Sequence, residues 1–148
     1  MIKVDYLNEI IKKFNKDELL GILSSLIWIN SQNPRKNEGD LAKFLKNILD
    51  INNIKKNLSW VEPGKSNLIA KLEFNQKGNI LLYSGHMDTV PVGSNWSVNP
   101  FGGEIKENKI YDGLEASDMK SGIAIMLYLL TRRAKYHGLA RGYLVRLV

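Results

Sequence analysis

Ile80-Leu81-Leu82-Tyr83-Ser84-Gly85-His86-Met87-Asp88-Thr89-Val90-Pro91 runs from an unbroken apolar stretch into a polar tip bounded by glycine and proline. The apolar stretch has no helical spacing and reads as a strand over Asn79–Ser84, of the type buried on both faces. A histidine just past the C-terminal end of such a strand stands where open α/β sheets gather their ligands. In extended backbone, His86 and Asp88 are two residues apart and point to the same side. In one reading, Asp88 accepts a hydrogen bond from one imidazole nitrogen while the other nitrogen takes a metal ion. In the other, His86 is an ordinary loop histidine beside a capping aspartate. The triplet alone leaves both open.

Working outward toward the N-terminus, Asn57–Val61 and Ser66–Phe74 are further strand-type segments. Glu62-Pro63-Gly64 and Asn75-Gln76-Lys77-Gly78 supply the turns between them. Before these, Ile2–Phe14, Asp17–Ile29 and Glu38–Asn52 carry apolar residues at three- and four-residue intervals, the spacing of helices. Toward the C-terminus, Gly85–Gly103 is loop-like, and Glu104–Ile105 with Lys109–Tyr111 form a small hairpin around Glu107-Asn108. Ser121–Leu130 is a strongly apolar helix, and Gly142–Val148 has the pattern of another strand. Helices, then strands, then a strand–loop–helix–strand unit predict an α/β layered domain.

A second cluster, Ala116-Ser117-Asp118-Met119-Lys120-Ser121-Gly122, opens the apolar helix. Asp118 is placed to cap that helix. Capping is the commoner role of such a residue; in the functional reading Asp118 binds metal just outside the helix, because a carboxylate can offer one oxygen to each of two divalent cations.

The 148 residues suffice for one domain. The chain has no cysteine, which excludes disulfide scaffolds and thiolate metal sites and leaves histidine and carboxylates as metal ligands. The net charge is +6, but Arg132, Arg133, Lys135, Arg141 and Arg146 supply +5 of it from Thr131–Val148, a stretch without acids. The basicity therefore marks a tail at 131–148 and not a phosphate-binding face, and no nucleic-acid partner is expected. Leu19–Ile29 is too short to span a bilayer and no secretory leader is evident, so the expectation is a cytoplasmic protein with no membrane contact.

Ser84–Pro91, Trp96, Asn99-Pro100-Phe101, Lys109-Ile110-Tyr111 and Ala116–Gly122 follow one another in an order and spacing that resembles a known family. It is the zinc metallopeptidase and deacylase family of acetylornithine deacetylase, succinyl-diaminopimelate desuccinylase, aminoacylase and glutamate carboxypeptidase. The resemblance runs from about Asp17 to about Leu130.

The resemblance implies a three-layer α/β/α zinc-peptidase-like catalytic domain. Residues 1–148 would be its N-terminal part, lacking the C-terminal half and the smaller dimerisation domain. It implies that His86 binds one zinc ion, that Asp88 orients the imidazole, and that Asp118 bridges two zinc ions, for which Co2+ or Mn2+ could substitute. Trp96 and Pro100-Phe101 would pack the intervening loop. The substrate would be an N-acyl amino acid or small peptide, hydrolysed by metal-activated water, and the complete form could be a homodimer.

The family's general-base Glu follows the next strand, so no residue up to Val148 takes that role, and the isolated chain is expected to be inactive. His137, in the basic tail, is not expected to be a ligand. One departure stands beside the site. The segment Tyr111–Asp118 is one residue longer than the family pattern, with Glu115 where glycine is expected. A bulky residue where the backbone needs positive φ would displace Asp118. An alternative reading is a non-catalytic remnant or binding module that keeps part of the fold.

Overall fold

The computed structural model describes residues 8, 11–34, 38–73, 81–111, 113–135 and 143–147. Helix α1 spans Lys16–Trp28, where Asn15 caps the start by accepting a 3.1 Å hydrogen bond from the Glu18 N–H. Asp17 and Glu18 in the first turn complement the helix dipole. Helix α2, Glu38–Ile51, buries Leu41, Leu45 and Leu49, one stripe at four-residue spacing. Most of the expected first helix, Ile2–Phe14, lies outside the described residues.

Strands β1 (Lys55–Glu62) and β2 (Lys65–Leu72) pair antiparallel around a turn in which Gly64 takes φ 82°. Strand β3 is Leu81–Gly85, and the short β4 (Ile105–Lys106) and β5 (Lys109–Ile110) form the expected hairpin. Its turn residues Glu107 and Asn108 both have positive φ, 48° and 63°, the backbone that lets a tight hairpin follow the strand twist. An irregular turn over Ala116–Lys120 leads into helix α3, Ser121–Lys135, and strand β6 covers Tyr143–Leu147.

The main sheet has the order β1-β2-β6-β3, with β6 antiparallel to β2 and parallel to β3. Adjacent parallel strands require a crossover, and α3 supplies it. A β3–α3–β6 unit places the C-terminal end of β3 and the N-terminal end of α3 at the same edge of the sheet. His86 and Asp118 are therefore brought to one end by topology before any side-chain contact is considered.

One buried cluster joins Leu26 of α1, the α2 stripe, Leu68 and Ala70 on one face of β2, and Ile123, Ala124, Leu127 and Leu130 of α3. Each fully buried leucine contributes about 2 kcal/mol by leaving water. Met87, 1% exposed, carries this core directly beneath the His86 loop.

In one respect the structure corrects the sequence reading. The apolar run was expected to be buried on both faces, yet Leu81 and Leu82 are 43% and 55% exposed. The reason is position: β3 is an edge strand of the sheet, paired only with β6 among the described residues. No helix among the described residues is long and apolar enough to cross a membrane.

Candidate metal centre

The segment after β3 stays extended and its burial alternates. Gly85, Met87 and Thr89 are buried, while His86 and Asp88 are half-buried and share the open side. His86 Nδ1 lies 3.1 Å from the Asp88 backbone carbonyl oxygen and 3.2 Å from the Asp88 carboxylate. A carbonyl has no proton to give, so Nδ1 carries the hydrogen and donates it. That fixes the orientation of the ring and turns Nε2 outward.

Nε2 meets Asp118. The distance from His86 Nε2 to Asp118 Oδ1 is 3.1 Å. Burial pulls the imidazole pKa down, but hydrogen bonds and charge from Asp118 and Asp88 outweigh it, and the net shift is upward from 6.5. Asp118 itself is extended, at φ −129° and ψ 91°, and its Asp118–Met119 peptide is cis.

Met119 holds the two segments together. Its sulfur accepts the His86 N–H at 3.4 Å, and its methyl group lies over both Gly85 and Gly122. A Cβ at Gly85 would sit 2.6 Å from that methyl, so glycine here permits the close approach of the two segments. Glu115 adopts the left-handed conformation, φ 58° and ψ 24°, at the position where the family pattern has glycine. Asp118 nevertheless reaches His86.

His86, Asp88, Glu115 and Asp118 line an open cleft of about 480 Å³, together with Asn33, Pro34 and the Thr89–Pro91 segment. Among the described residues, no Lys or Arg lines it. The donor set suits a divalent cation: one imidazole nitrogen and one carboxylate oxygen, with a carboxylate behind the ring. Two ligands of a tetrahedral zinc ion stand roughly 3.3 Å apart, given metal–ligand bonds of about 2.0–2.1 Å. The 3.1 Å between Nε2 and Oδ1 is close to that spacing. Among the described residues no group of three or more His, Cys, Asp or Glu side chains converges on one point, so the pair fits two corners of a site.

Residues 82–146 match the model of Peptidase family M20/M25/M40. This segment, somewhat under half of the chain, is similar to that family. It extends past Thr131, where the composition changes, to Arg146, one residue short of the end of β6. A probable succinyl-diaminopimelate desuccinylase of Staphylococcus aureus (strain MRSA252) is 30% identical over 131 residues, 87% of this chain and 31% of the relative. The succinyl-diaminopimelate desuccinylase of Wolinella succinogenes is 43% identical over 126 residues, 83% of this chain and 32% of the relative.

Among solved structures, the M20 family metallo-carboxypeptidase Sso-CP2 of Sulfolobus solfataricus superposes with a TM-score of 0.76 at 24% identity, covering 88% of this chain and 30% of that one. The Bacillus subtilis YXEP protein, described as a dinuclear metal binding peptidase from the M20 family, gives a TM-score of 0.60 at 13% identity, covering 89% and 35%. These likenesses concern the fold, and they bear out the α/β catalytic-domain architecture. The chain spans about a third of the length of the curated relatives it matches.

Several residues around this cleft escaped the sequence reading. Asn33 Nδ2 donates to Asp88 Oδ2 at 3.4 Å, and the Asn33 N–H donates to the Thr89 carbonyl at 2.9 Å. Glu38, buried at the start of α2, has its pKa raised by burial and then by the neighbouring Asp88 carboxylate. Lys120 is 1% exposed, and burial pulls its pKa from 10.5 down to about 8. The loop is fastened through backbone carbonyls, Leu114 N–H donating to that of Pro100 at 2.7 Å and Trp28 Nε1 to that of Gly102, whereas Trp96, expected to pack the loop, is 41% exposed. His137 lies outside the described residues.

Proposed function

We propose that this chain contributes two metal ligands, His86 and Asp118, to a dinuclear zinc-dependent amidohydrolase, with Asp88 orienting His86 and Asp118 bridging the two ions. The substrate class we propose is an N-acyl amino acid of the succinylated or acetylated kind, or a small peptide. The names of the desuccinylase relatives support the first.

One observation carries the reading. Nδ1 of His86 is committed as a donor to the Asp88 carbonyl, so Nε2 can carry a proton only in the imidazolium form. Without that proton, a nitrogen lone pair and a carboxylate oxygen would face each other at 3.1 Å and repel. A cation belongs between them: a proton when the pair is alone, a divalent ion when one is available.

A bound divalent ion would supply Lewis acidity, lowering the pKa of a water molecule and polarising an amide carbonyl. The chain's own part is positional. Asp88 holds the imidazole in the tautomer whose Nε2 is free to bind, and Asp118 offers a second oxygen beyond the one facing His86. Pro34, Val90 and Pro91 line the opposite side of the cleft. No general base is assigned to this chain, and we propose that the chain alone is inactive.

Titration of zinc into the chain by calorimetry, in buffers of different ionisation enthalpy at pH 6, tests the reading. Displacement of the Nε2 proton predicts release of about one proton per ion bound. Zinc binding without proton release, or release that persists in His86→Ala, contradicts it. The non-catalytic alternative draws on Glu115 in the left-handed conformation, and it predicts no zinc binding at this pair.

A further inference from the structure

We propose that Lys120 is a positioning residue, a buried strut that ties the turn bearing Asp118 to the Ile29–Asn33 segment and so fixes the distance between His86 and Asp118. The proposal rests on the reading of those two side chains as metal ligands.

Lysine is almost never fully buried without a reason, because an ammonium leaves water at high cost. Lys120 is 1% exposed, and its Nζ donates to the Ile29 carbonyl at 2.7 Å. Ile29 is the residue that ends α1, in extended backbone at φ −83° and ψ 113°. Carbonyls at a helix C-terminus lack intrahelical partners and carry the negative end of the dipole, so a cation is well placed there. A methionine of similar shape would fill the same space and leave that carbonyl unpaired. The ammonium is therefore there for the bond, not for the volume.

The other end of the same short segment grips the His86 loop. The Thr89 N–H donates to the Ser31 carbonyl at 3.0 Å, and the Asn33 N–H donates back to the Thr89 carbonyl at 2.9 Å. The Val92 N–H donates to Gln32 Oε1 at 2.9 Å, and Asn33 Nδ2 reaches Asp88. Ile29–Asn33 is thus a bracket, with the His86–Asp88 loop fastened at one end and Lys120 at the other. Lys120 is two residues from Asp118, and its N–H closes the irregular turn onto the Glu115 carbonyl at 3.1 Å. Through this bracket the two candidate ligands share one reference point, although 32 positions separate them.

The test compares wild-type chain with Lys120→Met in two ways. Crystal structures without added metal read the separation of His86 Nε2 and Asp118 Oδ1. It should widen beyond hydrogen-bonding distance in the variant while α2 and the sheet superpose. Calorimetric titration with zinc alone should show binding weakened about ten- to hundredfold, the usual effect of losing a group that orients a ligand.

An unchanged separation, or equal zinc affinity in two folded proteins, overturns the proposal. Absence of zinc binding in the wild type would overturn the ligand reading instead, and the structural comparison then still decides whether Lys120 sets the spacing. Should Lys120→Met not fold, Lys120→Gln, uncharged and shorter, takes its place. A widened separation and weakened zinc binding in that variant support the strut, and an unchanged value of either overturns it.

Discussion

The imidazole of His86 and the carboxylate of Asp118, 32 positions apart in the chain, meet at 3.1 Å between Nε2 and Oδ1. The β3–α3–β6 crossover sets them at one end of the sheet, and Met119 packed on Gly85 and Gly122 closes the remaining gap.

That contact raises the His86 pKa above 6.5, against the opposing effect of burial. A group raised in the folded state stabilises fully below its unfolded value, and the contribution disappears as pH rises through the folded value. The metal-free chain should therefore lose this contribution between about pH 6.5 and the higher folded pKa. In Asp118→Asn the main raising contact is gone, and the His86 midpoint should fall. NMR titration of the imidazole resonances in both proteins measures it; equal midpoints would count against the pairing.

Asp88 acts on the opposite nitrogen. Asp88→Ala keeps the backbone carbonyl that accepts from Nδ1 at 3.1 Å and removes the carboxylate 3.2 Å from it, so zinc binding should weaken by up to about tenfold without changing the fold. Asp88→Asn, which keeps an acceptor oxygen, should lose less. Calorimetric titration of the two variants, with circular dichroism as the control for folding, orders them.

Glu115 occupies a left-handed conformation at φ 58°. Such a residue costs roughly 1–2 kcal/mol relative to one without a Cβ. Glu115→Gly should therefore be more stable than Glu115→Ala by about 1 kcal/mol, the reverse of their order in a helix. Both variants remove the charge, so urea denaturation of the pair isolates the backbone contribution. The reverse order would mean that the backbone carries no such strain.

Leu127, 1% exposed, lies in the same cluster as Leu68 and Leu45. Leu127→Ala should cost about 2–5 kcal/mol in equilibrium unfolding, the range for a buried leucine whose cavity does not collapse. A loss below about 1 kcal/mol would mean that the α3–sheet contact is loosely packed.

Much of this was legible in the sequence because it is local. Period-two alternation put His86 and Asp88 on one side, Glu107-Asn108 marked a tight hairpin, and four-residue spacing found α1 and α2. The exposure of Leu81 and Leu82 was not legible, since an apolar run looks the same in a central strand as at a sheet edge. Asn33 was missed because its bond to Asp88 spans 55 positions, and no local pattern encodes such a pairing. Lys120 left a usable signal. It lies three, four and seven residues before Ile123, Ala124 and Leu127, just ahead of α3 and in phase with that helix's buried face. Its charge type argued for solvent, but its phase argued for the core, and the phase was right.

Anomalous diffraction from crystals of the chain soaked in zinc tests the central claim most directly. The account predicts a peak within bonding distance, about 2.0–2.2 Å, of both His86 Nε2 and Asp118 Oδ1. A structure in which those atoms keep their direct hydrogen bond while zinc binds elsewhere, or not at all, would contradict it.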